Sequence, residues 1–270
     1  MLTFFNTKPK KTFRYINNIN LLIQFIRRDI YSQYAGSIAG LLWTIITPLS
    51  QLLVYSFLFT VIFKIRLSRF ETGTESFMVF FLSGLLAWTA FFDALIRSGS
   101  VIIQNANLVS KVAFPVELLP LSTVVSSFLL AGSGWILFLL WLTAKGLASF
   151  YWLLLPIPVL FFFLFTLGLA WILSAISVYL RDTQQILNVV LNIWFYFTPI
   201  LYPLSMVPQS MRWAIKLNPI YYFIELIRDI LFKHTISMLA FWISFFLSLI
   251  LFLIGFICFR KLRNGFADIL

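Results

Sequence analysis

Cysteine and histidine are almost absent from the sequence, which excludes several kinds of site. The 270 residues include one cysteine, Cys258, and one histidine, His234. A single cysteine cannot form an internal disulfide, and neither residue type can supply the usual clusters that ligate zinc. The sequence also lacks a G-x-x-x-x-G-K-[ST] phosphate-binding loop and an H-E-x-x-H motif. We therefore expect neither a metal site nor a catalytic centre in this chain, and no cofactor bound to it.

Charge is scarce as well. Charged residues make up 11% of the chain, whereas 61% of its residues are hydrophobic. Soluble domains average about 25% charged and about 45–50% apolar residues. Such a chain cannot hide its apolar surface from water, whereas about 20 consecutive apolar residues span a bilayer as a helix. The composition predicts an all-α integral membrane protein.

The few charges present are mostly positive and give a net charge of +11. A basic balance can indicate nucleic-acid binding. Here the basic residues flank apolar runs, which is typical of residues that set membrane topology and contact lipid headgroups. We expect membrane lipids as partners and no nucleic acid.

Charge-free intervals predict six transmembrane helices in a single domain, residues 35–260. The spans are predicted at about 38–63, 76–97, 117–143, 151–178, 185–203 and 237–259. Six spans place both ends on one side, and 12 of the 20 Lys and Arg residues fall there, so the termini, including the tail 261–270, are predicted to be cytoplasmic. No predicted span carries a charge at its middle, which argues against a proton- or sodium-driven mechanism.

Two segments outside the spans have their own pattern. Within the cytoplasmic N-terminus, 1–34, Leu22, Ile26 and Ile30 recur every four residues, which predicts an amphipathic helix in the membrane interface. A topology anchor without further function is the alternative. The apolar segment from Phe197 to Phe232 contains four prolines, so it predicts re-entrant helices at about 204–233 rather than one straight helix. Such backbone must border protein or a water-filled pathway, unless it packs inertly as a broken helix.

Aromatic residues are abundant, with 32 Phe, 10 Tyr and 9 Trp. They are spread through the predicted spans and are not confined to their rims. An aromatic face packs on the C–H face of a sugar ring, and the Tyr and Trp polar atoms can form hydrogen bonds. The pattern is compatible with a pore for a polar polymer. Packing and lipid contact are the alternative for any single aromatic residue.

The connection before the third predicted span has a distinctive sequence, "LVSKVAFPVELLP". Pro115 and Glu117 suit the first turn of a helix, so the third span is predicted to begin at 114–115. Pro120 would then lie deeper and kink the span. The preceding residues predict a short separate helix. A well-capped connector is the alternative.

Four segments in order resemble the ABC-2 type polysaccharide export permeases, the membrane subunits that export O-antigen, teichoic acid and capsule chains. Each segment is short, but the ordered set covers nearly the whole chain. The segments are "RRDIYSQYAGSIAGLLWTIITPL" (27–49), "NANLVSKVAFPVELLPL" (105–121), "VYLRDTQQILNVVLNIWFYFTPILYP" (178–203) and "LNPIYYFIELIRDILF" (217–232).

The resemblance implies a homodimer that pairs with two copies of a separate ATPase subunit, which binds ATP and Mg. The chain itself would be a transport subunit and not an enzyme. It implies a channel at the dimer interface, lined mainly by the first and fifth spans, through which a lipid-linked polysaccharide, O-antigen above all, crosses the bacterial inner membrane. A lipid, drug or teichoic acid cargo, an ion-driven transporter and a membrane scaffold are the alternatives.

The resemblance also implies roles for particular residues. The channel candidates are Trp43, Tyr55 and Phe59 on the first span and Trp194, Tyr196 and Phe197 on the fifth. The periplasmic gate candidates are Pro199, Pro219, Tyr221, Tyr222, Glu225 and Arg228, with Glu225 and Arg228 expected to pair. A coupling helix for the ATPase is implied at about 105–114. The ATPase-coupling candidates in and after it are Leu108, Lys111, Val112, Phe114, Pro115 and Glu117, and those on the amphipathic helix are Arg27 and Arg28.

Overall fold

Helices form nearly all of the regular structure. The computed structural model describes residues 11–111, 114–180 and 182–270, and in these ranges the only extended pairing is an isolated bridge between Arg66 and Ser76. The helices are α1 (Lys11–Gln33), α2 (Trp43–Ser56), α3 (Arg69–Thr72), α4 (Phe77–Gln104), α5 (Ala106–Lys111), α6 (Leu118–Ala144), α7 (Pro156–Tyr179), α8 (Thr183–Phe197), α9 (Arg212–Lys216), α10 (Pro219–Arg228), α11 (Met238–Leu262) and α12 (Phe266–Ile269).

Five helical stretches in the described part of the chain are long and apolar enough to cross a membrane. They are Gly40–Ile62, Phe77–Gln104, Leu118–Ala144, Phe150–Tyr179 and Met238–Gly265. This confirms the predicted all-α, multi-pass membrane class. The predicted span 185–203 corresponds to α8, which has 15 residues and ends before Thr198. The count of six spans stays a prediction.

The core is built around α4, which packs against α6, α7 and α8. Over its most apolar stretch 72% of the residues are buried, whereas only 6% are buried over the corresponding stretch of α2. Phe91, Ala94 and Ile102 on α4 are fully enclosed. The packing of α2 is therefore left largely incomplete by this single chain.

The α7 and α11 helices meet backbone to backbone. A methyl group on Gly255 would overlap the Gly168 carbonyl, and one on Gly168 would overlap the Leu251 carbonyl. Small residues at membrane helix interfaces allow this approach, and van der Waals packing then holds the pair together. The buried Ser244 and Ser248 continue the small-residue side of α11.

Two boundaries differ from the sequence expectation. The α4 helix continues seven residues past the predicted end at 97, so Asp93 and Arg97 lie inside it and not at its end. The helix can continue because Arg97 Nη1 donates to Asp93 Oδ2 at 3.0 Å, the i, i+4 pairing that the sequence suggested. Ser127 Oγ also donates to Asp93 Oδ2, at 2.7 Å.

The start of the third predicted span also needs correction. The α6 helix begins at Leu118, with Glu117 as the residue before it and Pro115 in a preceding turn. Pro120 therefore falls in the first helical turn, where its missing N–H has no intrahelical partner to lose, and the reason for a kink disappears. The α5 helix is described over Ala106–Lys111, inside the predicted 105–114, and residues 112–113 lie outside the described residues.

The proline-rich segment forms short pieces, as predicted. Two 3-10 turns lead into α9 and α10, and a π-helical turn, Asp229–Lys233, follows. The Asn218 side chain caps α10 by accepting from the Ile220 N–H at 3.0 Å, and Pro219 occupies the first turn. We call this side of the molecule the α10 end and the opposite side, with α1, α5 and α12, the α1 end. The depth of either end in a membrane stays a prediction.

Candidate functional site

One face of α8 carries polar side chains on an exposed surface. The buried face of α8 consists of Thr183, Leu187 and Leu191, which recur every four residues and pack toward the neighbouring helices. On the exposed side, Gln184, Asn188, Asn192 and Tyr196 recur at the same interval. We call these four residues the α8 polar row. Polar groups facing lipid would be costly, so the row suits water or a polar ligand.

The amides of the α8 polar row are held in place by local hydrogen bonds. Asn188 Nδ2 donates to the Gln184 carbonyl at 3.0 Å, and Asn192 Nδ2 donates to the Asn188 carbonyl at 2.7 Å. Each amide can still form further hydrogen bonds outward. Sequence reasoning picked out Tyr196 alone, although the four-residue spacing of the amides was a readable signal.

The predicted channel aromatics on α8 differ in environment. Tyr196 and Phe197 are exposed. Trp194 is half-buried, because its Nε1 donates to Asn218 Oδ1 at 2.9 Å and its ring packs edge-on to Phe91 at 5.7 Å. Trp194 thus ties α8 to the start of α10, while Tyr196 and Phe197 remain available at the surface.

The predicted channel aromatics on α2 are also divided. Tyr55 and Phe59 pack against Phe81 of α4, with ring centroids 4.8 and 5.3 Å apart. Trp43 is exposed, and its Nε1 donates to Ser37 Oγ at 2.9 Å. Tyr55 and Phe59 therefore hold α2 against the core, and Trp43 retains an open aromatic face.

Arg228 lies in the interior of the α10 end and not in the expected pair with Glu225. It is 3% exposed, and its guanidinium donates to the Pro199 carbonyl at 2.7 Å and the Phe80 carbonyl at 3.0 Å. The guanidinium carbon lies 3.5 Å from the Phe80 ring centroid. Burial lowers the pKa of Arg228 to about 9, partly opposed by the Glu225 charge, so the group stays cationic at neutral pH. Arg228 thus connects α10, the break after α8 and α4.

Glu225 pairs with Lys233 instead, at 3.0 Å, because the π-helical turn brings that lysine back toward α10. Lys233 Nζ also lies 2.8 Å from Asp229 Oδ1. Burial acts to lower the pKa of Lys233, but the two carboxylates outweigh it and raise that pKa. Burial raises the pKa of Asp229, against the opposing effect of Lys233.

The remaining gate candidates flank this cluster. The rings of Tyr221 and Tyr222 lie 5.0 Å apart, and the Tyr222 hydroxyl donates to the Lys216 carbonyl at 2.8 Å. Burial raises the pKa of Tyr221, and the Glu225 charge adds to the shift. A cavity of about 310 Å³ opens beside them. Its charged and phenolic lining residues are Glu71, Arg212, Tyr221, Glu225, Arg228 and Lys233.

At the opposite end, α1 is fastened to the predicted coupling segment. Arg28 Nη2 donates to Asn105 Oδ1 at 2.9 Å, and the Phe25 and Phe114 rings lie 5.9 Å apart. Leu108 is half-buried. Phe114, expected to enter a partner, thus packs against its own chain, and Arg27 is exposed. Val112 lies outside the described residues, as does the side chain of Lys111.

A second fastening of α1 is formed by Asp29, the residue after Arg28. Arg97 of α4 forms an ion pair with Asp29 of α1, and Ser126 of α6 donates a hydrogen bond to the same carboxylate. No role for Asp29 was predicted, because a lone carboxylate on an amphipathic helix is typical of its solvated face. The two fastenings join α1, α4, α5 and α6 into one structural unit, the α1 clamp.

Glu117, a coupling candidate, is engaged within the chain. Arg263 Nη1 donates to Glu117 Oε1 at 2.6 Å, and Trp171 Nε1 donates to the Glu117 carbonyl at 3.2 Å. The glutamate thereby joins the start of α6 to α7 and to the turn after α11. The sequence could not indicate this contact across 146 residues.

Replacing Glu117 or Arg263 by alanine is expected to lower the free energy of unfolding, because either change removes the same charge-assisted hydrogen bond. Such a bond is worth about 1.5–3 kcal/mol when well shielded, and less here because Arg263 is half-exposed. Thermal unfolding in detergent micelles would show similar losses for the two single variants, and the double variant would lose less than their sum. The exposed Arg27→Ala serves as control. Additive losses would contradict a direct Glu117–Arg263 contact.

A comparison with known families places the fold. The family model described as ABC-2 type transporter matches residues 20–232. The chain therefore belongs to the ABC-2 type transporter family, and the resemblance predicted from its four quoted segments is confirmed.

Three individual proteins of known name are similar to this chain. The chain is 34% identical over 221 residues to the O-antigen export system permease protein RfbA of Myxococcus xanthus, covering 79% of this chain and 81% of the relative. It is 29% identical over 254 residues to an RfbA of Klebsiella pneumoniae, with 93% and 95% covered. The polysialic acid transport protein KpsM of Escherichia coli is 23% identical over 216 residues, with 78% and 80% covered.

Proposed function

We propose that this chain is the transmembrane permease subunit of an ATP-driven exporter that moves a lipid-linked polysaccharide, O-antigen in the first instance, across the bacterial inner membrane. The names of the relatives support export of a polysaccharide, and of O-antigen in particular. The named permeases are transport subunits, which agrees with the prediction that ATP hydrolysis belongs to a separate protein. ATP and Mg would be bound there.

The observation that carries the proposal is the α8 polar row. Neutral amides and a phenol offer hydrogen bonds to sugar hydroxyls without a fixed charge that would hold one position tightly. Most of α2 is exposed too, so α2 and α8 each have a large uncovered face in the single chain. A second copy that covers α2 and faces α8 would enclose a polar channel between the protomers, a homodimer with one closed interface.

Motor attachment is proposed at the α1 end. The α1 clamp makes α1, α5 and the start of α6 a stiff unit, and its exposed Arg27 and the α5 surface are open to a partner. Two ATPase copies on a homodimer would each push one such unit. This assignment places the α1 end and both termini in the cytoplasm and the α10 end at the periplasmic face.

The decisive experiment uses the purified chain with and without its ATPase, reconstituted in vesicles. The lone chain is expected to hydrolyse no ATP. The complex is expected to hydrolyse ATP and to carry labelled lipid-linked polysaccharide into the vesicle lumen in proportion. Hydrolysis by the lone chain, or a complex that hydrolyses ATP while no polysaccharide crosses, would overturn the proposal.

Changing Asn188 and Asn192 together to leucine is expected to reduce polysaccharide export about tenfold. Each lost hydrogen bond is worth about 0.5–1.5 kcal/mol, and tenfold corresponds to about 1.4 kcal/mol. Assembly with the ATPase should be unchanged, since both side chains are exposed. The control is Val189→Leu together with Val190→Leu on the same helix. Equal export by the amide variant and the control would remove the α8 polar row from the pathway.

An ion-driven transporter is the second candidate, and the charged residues inside α4 are the observation in its favour. Asp29 and Asp93 both form ion pairs with Arg97, however, so neither carboxylate lacks a charged partner within the described chain. An uncoupler added to cells with maintained ATP separates the two mechanisms. Continued export supports the ATP-driven exporter, and arrested export supports the ion-driven one.

A further inference from the structure

A second polar cavity lies between α1, α2, α4 and α6. Its volume is about 280 Å³, close to the lower limit for small-molecule sites. It is distinct from the α8 polar row, because the residues around it come from none of α7, α8 or α10. Its lining includes Trp43, Thr47, Gln51 and Asp93.

Asp93 is presented to this cavity in a fixed orientation. Its Oδ2 atom accepts from Arg97 and Ser127, at 3.0 and 2.7 Å, and 43% of its side chain is exposed. Within the described residues Oδ1 accepts no hydrogen bond, so it is available to a ligand hydroxyl. The ion pair with Arg97 and the hydrogen bond from Ser127 fix the direction in which the remaining oxygen points.

Trp43 supplies an aromatic wall. The hydrogen bond from its Nε1 to Ser37 Oγ fixes the indole, and 42% of the residue is exposed. Thr47 and Gln51 follow on the same side of α2, one and two turns along from Trp43. The cavity thus combines an aromatic face, a carboxylate oxygen, an amide and a hydroxyl.

This combination selects among ligands. A phosphate or another anion would place a second acceptor against Asp93 Oδ1, and an acyl chain would leave Oδ1 without a hydrogen-bond donor. A neutral sugar ring satisfies both sides, since its C–H face packs on an indole and its adjacent hydroxyls donate to a carboxylate and bind an amide.

We propose that this cavity binds one neutral pyranose unit, with Trp43 against the ring face and Asp93 Oδ1 and Gln51 on its hydroxyls. The site would recognise a sugar of the cargo before or during its passage along the α8 polar row. The inference rests on the proposed function, since it makes the transported polymer the source of that sugar.

Cysteine accessibility tests the site directly. In a Cys258→Ser background, Thr47→Cys in the permease–ATPase complex is reacted in lipid nanodiscs with a charged methanethiosulfonate reagent. The probes are methyl α-D-mannopyranoside, methyl β-D-galactopyranoside and methyl α-D-glucopyranoside. A binding glycoside at four times its Kd should slow labelling about fivefold. Thr60→Cys, on the same stretch of helix but outside the cavity, should label at an unchanged rate.

Export kinetics supply the second measurement. Gln51→Leu and Trp43→Leu are expected to raise the polysaccharide concentration for half-maximal export about fivefold, the loss of roughly 1 kcal/mol of binding, with the maximal rate within about twofold. Val54→Ala, exposed on α2 and outside the cavity, is the control.

The outcomes separate this inference from the function on which it rests. Unslowed Thr47→Cys labelling by all three glycosides, together with normal half-saturation in both variants, overturns the sugar site while wild-type export still upholds the exporter. Labelling that depends on the nanodisc headgroup and not on glycoside assigns the cavity to lipid and also overturns the site. No export by the wild type overturns the proposed function itself.

Discussion

Replacing Arg228 by methionine is expected to destabilise the α10 end more than replacing any other polar side chain there. The change removes two short hydrogen bonds from a charged donor, each worth about 1.5–3 kcal/mol, so the loss is about 3–6 kcal/mol. It also leaves the buried Pro199 carbonyl without the Arg228 donor, whereas the Phe80 carbonyl keeps the hydrogen bond from Ser83 Oγ at 2.8 Å. Lysine cannot replace the guanidinium, because a single ammonium cannot reach acceptors on both sides.

Thermal unfolding of the detergent-solubilised protein and limited proteolysis of the α8–α10 segment measure this effect. A lowered midpoint with faster cleavage near Pro199 is the expected pair of results. Arg69→Met, at an exposed arginine near the same end, is the matched control and should leave both unchanged. An Arg228→Met protein as stable as wild type would show that the guanidinium does not hold the break after α8 against α4.

Gly255→Ala and Gly168→Ala form the second large prediction. Either methyl group overlaps backbone atoms of the opposite helix, so α7 and α11 must separate rather than let a flexible side chain move. Membrane helix pairs of this kind depend on close packing, and overpacking costs about 1–3 kcal/mol or more. We expect each substitution to lower the unfolding midpoint strongly and to reduce the yield of folded protein.

Gly132→Ala is the control for that experiment. Gly132 lies within α6, and no described atom outside its own neighbourhood lies within 4 Å of the position its Cβ would take. Alanine favours a helix over glycine by about 1 kcal/mol, so this variant should be as stable as wild type or slightly more so. A small effect at Gly255 and Gly168 as well would mean that the two backbones are not in contact.

Sequence reasoning predicted the helical class and the family because both depend on local composition and order. It misplaced the end of α4 for a physical reason. An end was inferred from the first charges, yet Asp93 and Arg97 neutralise each other and two α6 serines add hydrogen bonds. Charge marks a helix end only when the charge has no partner in the fold.

The candidate site could be predicted from the sequence only in part. The proline breaks around Pro199 and Pro219 identified the segment that forms short helices. The partner of Arg228 could not be found, since i, i+3 spacing favoured Glu225 whereas the actual acceptors are backbone carbonyls, about 148 residues away in the case of Phe80. The direction in which each aromatic side chain faces could not be predicted either. Trp194 and Tyr196 are both aromatic residues of the same helix, and they differ only in what packs against them.

The Glu117–Arg263 contact can form only late during synthesis of the chain. The ribosome adds Arg263 146 residues after Glu117, which at about 5–20 residues per second is roughly 7–30 s later. Until then the start of α6 must rely on water for its carboxylate. The chain thus acquires the joint between α6 and the turn after α11 only after α11 has been synthesised. A ribosome that stalls within α11 would leave a product already inserted in the membrane but with this joint open.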